Sequence, residues 1–121
     1  MPQLQTEFEF TLPKGYVSSD GSLHKKGRMR LATALDEIAP LRDPRVRANE
    51  AYLVVIVLAR VVIQLGTLEF IDTGVMEKLF TADIAYLQEL YRKINGFESE
   101  SDNKNLNGEE GEPPGGSSAT P

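Results

Sequence analysis

His24 is the only histidine in this 121-residue chain, and there is no cysteine. A serine or threonine nucleophile needs a base such as histidine within hydrogen-bond reach. His24 lies in the polar stretch Ser22-Leu23-His24-Lys25-Lys26 and reads as a solvated turn residue, so no catalytic triad is expected. Without thiolates, and with one imidazole, a metal would have to be held by carboxylates, but the adjacent Asp36 and Glu37 on a helix do not face the same side. Glu7 and Glu9 do share a strand face, the kind of pairing glycoside chemistry uses, yet on an amino-terminal strand they read as solvated. Neither glycine-rich phosphate-loop pattern occurs. The expectation is a chain that is not an enzyme, with no catalytic residues, no cofactor, no metal and no small-molecule substrate.

Two further charges stand out because of where they fall. Arg60 is the one charge inside the apolar run Ala51 to Leu65, AYLVVIVLARVVIQL, and Asp83 falls in the middle of a later apolar stripe. Asp83 could cap a helix that starts near it, or it could pair with Arg60. Two basic clusters, His24 to Arg30 and Arg42, Arg45 and Arg47, lack interleaved aromatics and read as solvated faces.

The elements that would position these groups are set by periodicity. Phe8, Phe10 and Leu12 alternate with Glu7, Glu9 and Thr11, the pattern of a half-buried strand, and Pro13 ends it or marks an edge. Ser18-Ser19-Asp20-Gly21 supplies turn chemistry for a hairpin whose returning arm reaches about Leu31, with Gly27 as a candidate bulge. Strands are therefore placed between about 5 and 31. Thr33 can cap a short helix over about 33–39, Asp43-Pro44 can open another turn, and Asn49 can cap the apolar helix after it. The length of the apolar run predicts a helix over about 50–65 closed by Gly66. Asp72 and Thr73 open a last helical stretch over about 73–94, closed by Asn95-Gly96.

The apolar run is too short, and too interrupted by Arg60, to cross a bilayer, which needs ~20 apolar residues. No secretory signal is visible at the amino terminus, so a cytoplasmic protein without membrane insertion is expected. Residues 1–97 are predicted to form one α+β domain, a small antiparallel hairpin or sheet followed by a helical half. From 98 to 121 the composition turns to Glu, Ser, Asn, Gly and Pro, which predicts a disordered acidic tail. Six of the eighteen acidic residues and one of the thirteen basic ones lie in that tail, leaving twelve of each in residues 1–97. A domain with no net positive charge gives no reason to expect nucleic acid as a partner.

Both predicted long helices are apolar over more of their circumference than the ~100° stripe of a helix packed on one neighbour. Some of that surface is expected to meet another protein or a second copy of the chain. The candidate contact residues are Val54, Leu58, Arg60, Val61 and Leu65 from the first helix and Met76, Phe80, Ile84, Leu87 and Tyr91 from the second.

The order of the segments FEFTLPKG (Phe8 to Gly15), SSDGSLHKKG, RMRLATALDEI, PLRDPRV, YLVVIVLARVVIQLGTL and LFTADIAYLQELY (Leu79 to Tyr91) resembles small tail assembly proteins of contractile-tailed phages and phage-derived contractile injection systems. Within that grouping the chain is most similar to the tail assembly chaperones. The resemblance covers roughly residues 5 to 95, rests on no single motif and brings no active-site residues. It implies a helper that holds a long helical tape-measure protein during tail assembly. The alternatives are a structural adaptor retained at a baseplate, tube end or cap, and an unrelated protein-interaction module.

Overall fold

In the computed structural model, the described residues are 4–96, so the acidic segment 98–121 lies outside them. The fold is α+β: a three-stranded antiparallel sheet, ordered β1-β2-β3, with helices following. Strands β1 (Glu7–Val17) and β2 (Leu23–Arg30) form the predicted hairpin, turning at Ser18 to Ser22, where Gly21 takes a φ of 89°. β1 does not stop at Pro13. Thr11 pairs with Lys26 and Tyr16 with His24, so the residues between them on β1 bulge out opposite Lys25 alone. Pro13, which has no N–H for a ladder, is accommodated inside that bulge on an edge strand.

Gly27 is not the bulge the sequence suggested. It pairs with Phe10 on one side and Leu65 on the other, and a Cβ there would overlap the Gln64 carbonyl oxygen and meet the Phe10 ring at 2.6 Å. The glycine is needed because two strands and an aromatic ring converge on that point.

The short elements between sheet and apolar run form as capping chemistry predicts. Helix α1 (Ala34–Ile38) follows Thr33, whose N–H donates to the Asp36 carboxylate at 2.8 Å. A 3-10 segment, Ala39–Arg42, then leads to α2 (Pro44–Ala48), capped by Asp43 accepting from the Arg45 N–H at 2.8 Å. Asn49 accepts from the Ala51 N–H at 3.1 Å and opens the 3-10 turn Glu50–Tyr52.

The apolar run is not one helix over 50–65. Helix α3 covers Leu53–Val61, and the chain then extends into β3 (Val62–Leu65), which pairs antiparallel with β2. β-branched residues lose rotamer freedom in helices and favour strands, and the free edge of β2 supplies a ladder that a continued helix could not use. Within β3, Ile63 is an extra residue between the pairs Met29–Val62 and Arg28–Gln64 and is therefore exposed rather than buried.

The last helical stretch is also divided. α4 (Thr73–Lys78), capped by Asp72 on the Val75 N–H at 3.0 Å, ends at an extended Leu79-Phe80 break, and α5 (Thr81–Ile94) follows. One core fills the space between sheet and helices. It contains Phe10, Leu12 and Met29 from the first two strands, Leu58 and Val61 from α3, Leu65 from β3, Met76 from α4 and Leu87 from α5. No helix among the described residues is long and apolar enough to cross a membrane.

Candidate functional site

Asp83 neither caps α5 nor meets Arg60. Its carboxylate, fully buried, accepts the Lys14 N–H at 2.8 Å and the Gly15 N–H at 2.9 Å. These are backbone donors that the β1 bulge turns away from β2, so a helix side chain completes the hydrogen bonding of a strand. One turn further along α5, the Tyr86 hydroxyl accepts the Thr11 N–H at 3.3 Å and its ring meets Phe10 edge-on at 6.4 Å. α5 is thereby fixed along the edge of β1.

Arg60 finds Asp36 instead. The Asp36 side chain is 2% exposed and accepts from Arg30 Nη1 at 2.7 Å, Arg30 Nη2 at 2.9 Å and Arg60 Nε at 2.9 Å. Arg30, above all, holds the Asp36 carboxyl well below the usual carboxylate range, with the Thr33 N–H and Arg60 adding to the effect against the opposing pull of burial. β2, α1 and α3 thus meet on one carboxylate. Beside it, the Tyr91 hydroxyl donates to Glu37 Oε2 at 2.6 Å and ties α5 to α1. Burial, then the bond to Glu37, pushes the Tyr91 phenol well above its ordinary value, so it remains a donor across the physiological range.

Next to the Tyr91–Glu37 bond lies an open groove of about 810 Å³. Leu53, Val54, Val57 and Leu58 of α3 form its apolar side, Leu41 of the 3-10 segment overhangs it, and Tyr91 of α5 closes it. Glu37, Gln88 and Arg92 lie on its rim. Leu41 is 54% exposed, and Leu35 and Ile38 at preceding three-residue steps are exposed as well. A mostly apolar groove with few polar groups can bind a side-chain row by burial, while the rim charges set orientation. It contains no paired base and nucleophile.

The predicted contact residues divide. Val54, Leu58 and Tyr91 line the groove. Val61, Leu65, Met76 and Leu87 are buried in the core, where they have no surface to offer, and Leu58 is almost entirely buried with them. Ile84 packs against the core, Arg60 is engaged by Asp36, and Phe80 is exposed at the α4–α5 break, outside the groove. Leu41, Leu53 and Val57 were missed. The helical spacing of Leu53 and Val57 on the same run as Val54 and Leu58 could have found two of them, whereas Leu41 follows Pro40 and looked like a connection.

His24 is not solvated. It is 7% exposed, with its ring against Gly66, where a Cβ would overlap Nδ1. The Tyr16 ring, 6.3 Å away between centroids, covers it as well, so His24 is buried between β1 and the turn that follows β3. The Thr67 N–H donates to Nδ1 at 3.4 Å, which assigns the ring proton to Nε2. Nε2 donates to Ser18 Oγ at 3.0 Å, and Ser18 donates to Asp20 at 2.6 Å. The Ser18 hydroxyl, followed by the Ser22 backbone N–H, draws the Asp20 carboxyl down to about 2. These bonds join the hairpin turn at Ser18 to Ser22 to the turn that follows β3.

Parts of both basic clusters are occupied within the chain. Arg28 pairs with Glu7 at 3.3 Å, Arg30 with Asp36, and Arg45 with Asp43 at 2.9 Å while lying over the Tyr52 ring at 5.1 Å. Among the described residues no group of three or more His, Cys, Asp or Glu is placed to hold a metal ion. No protein-family model, no curated protein and no solved structure matches the chain.

Proposed function

We propose that this chain is a non-enzymatic assembly chaperone of the phage-tail type, which acts in the cytoplasm and holds amphipathic helical segments of a tape-measure protein while a contractile tail or injection system is built. The observation that carries this reading is the apolar groove between α3, the 3-10 segment and α5, whose lining could receive side chains spaced i, i+3, i+4 and i+7 along one face of a helix. The segment order from Phe8 to Tyr91, which resembles that of tail assembly chaperones, supports a tape-measure protein as the class of client. A transient helper needs an apolar docking surface that releases its client, and a shallow open groove suits that better than an enclosed cavity does.

The test is co-expression of the tagged chain with the genes that surround its own, followed by mass spectrometry of what co-purifies and of the finished particles. The reading predicts recovery of a long helical tail protein, its loss on Leu41→Glu, and no copy of this chain in finished particles. Retention in particles would make the chain a structural adaptor, and the absence of any tail protein from both fractions would leave a protein-interaction module of another kind.

A further inference from the structure

Beside the groove stands an apolar ridge. Leu35, Ile38 and Leu41 follow one another at three-residue steps, and the passage from α1 into the 3-10 segment at Ala39 keeps Ile38 and Leu41 in line, because side chains three apart eclipse in that geometry. All three are at least half exposed, and Leu41 is both the end of the ridge and the overhang of the groove. A row of aliphatic side chains next to an apolar groove of the kind that accepts such a row is complementary to itself. Two copies related by a two-fold axis cover both at once, since an isologous interface uses the same patch twice.

The charges on the groove fit the same arrangement. Glu37, on the ridge side, and Arg92, on α5, both line the groove, yet neither takes part in an ion pair among the described residues. Tyr91 donates to Oε2 of Glu37, which leaves Oε1 to accept from elsewhere. A two-fold axis that sets each ridge into the other groove brings the acid of one copy toward the guanidinium of the other, twice over. We propose that the chain pairs with a second copy in this way, the ridge of each copy seated in the groove of the other and Glu37 facing Arg92 of the partner subunit. The patch is small, so the pair exchanges with a dissociation constant on the order of 10 μM. On the chaperone function proposed for the groove, on which the pairing itself does not depend, a second copy covers the apolar surface until a client helix displaces it. Client binding then splits the pair by mass action.

The test is sedimentation equilibrium of the full chain, which should show a monomer–dimer exchange. Glu37→Arg and Arg92→Glu each set like charges across the axis and should weaken pairing about tenfold or more. Mixed one to one, the two variants restore opposite charges at both contacts and should pair about as tightly as the unaltered chain. Leu35→Gln should weaken pairing as well; it and Arg92→Glu leave the Tyr91–Glu37 bond in place and should melt as the unaltered chain does. A chain that stays monomeric up to about 1 mM, a dimer that these substitutions leave intact, or a mixture no tighter than its components overturns the pairing. A synthetic amphipathic helix with leucines at i, i+3, i+4 and i+7 separates the two readings. If it splits the dimer, both stand; if the dimer forms and the peptide does not bind, the pairing stands and the client reading fails. A peptide that binds a chain that never pairs leaves the client reading standing and overturns the pairing.

Discussion

Replacing Asp83 removes the acceptor for two backbone N–H groups at once, which makes it the sharpest probe of how the helical half is held to the sheet. The carboxylate has no exposure to solvent, and its two bonds, 2.8 and 2.9 Å, go to the Lys14 and Gly15 N–H groups in the β1 bulge. Asp83→Ala leaves both donors without a partner, at about 1–3 kcal/mol each. Lys14 is near the surface and can recover part of its loss from water, so a total of about 3 kcal/mol is expected. For a domain of this size that lowers Tm by roughly 12–24 °C. Asp83→Asn keeps one oxygen to accept from one N–H and turns an amide donor toward the other, so about half the loss is expected. Melts of the full chain followed by circular dichroism read both. A shift below about 4 °C for Asp83→Ala would refute this assignment. So would strong coupling to Arg60→Ala in a double-mutant cycle, because it would mean that the carboxylate serves Arg60 instead of the bulge.

Other substitutions probe other joints of the structure. Gly27→Ala places a methyl group into the Gln64 carbonyl oxygen and should cost about 3 kcal/mol or more, visible as a denaturant midpoint shift with an unchanged slope. Asp36 stays ionised in the folded chain at pH values where the unfolded chain takes up a proton, so its contribution is complete above the unfolded value of ~3.9 and declines as pH falls below about 4–5. Asp36→Asn should therefore be less stable at neutral pH, by about 2 kcal/mol after allowance for the part-exposed arginines, and should show a flatter acid limb in chemical denaturation. Leu41→Glu alters an exposed groove residue and should change stability by no more than about 0.5 kcal/mol while abolishing capture of a helical partner, as read by melting and by co-purification.

Local signals in the sequence carried the hairpin, its turn, and the caps at Thr33, Asp43, Asn49 and Asp72, because each depends on residues a few positions apart. The features that were not legible depend on pairings across the chain. Nothing between Ala51 and Leu65 says that the helix must stop at Val61; the free edge of β2 decides that, and a run of β-branched residues accepts either state. The burial of His24 comes from Tyr16, its partner across the hairpin, and from Gly66, which is distant from it in sequence, and the partner that explains Asp83 is a pair of backbone donors, which carry no side-chain signature. Apolar width alone placed Leu58, Val61, Leu65, Met76 and Leu87 with the contact surface, yet most of that width is used by a core shared among sheet, α3, α4 and α5. The uncovered surface is narrower and lies one turn earlier on α3, at Leu53, Val54 and Val57, together with Leu41.

The central claim, that the groove is where a helical partner docks, is tested most directly by methyl spectra of the full chain with and without the partner recovered by co-expression. The account predicts shifts concentrated at Leu41, Leu53, Val54 and Val57, with Val17 and Ile63, which lie on the sheet outside the groove, unmoved. Shifts centred on the sheet residues, with the groove methyls unchanged, would contradict it.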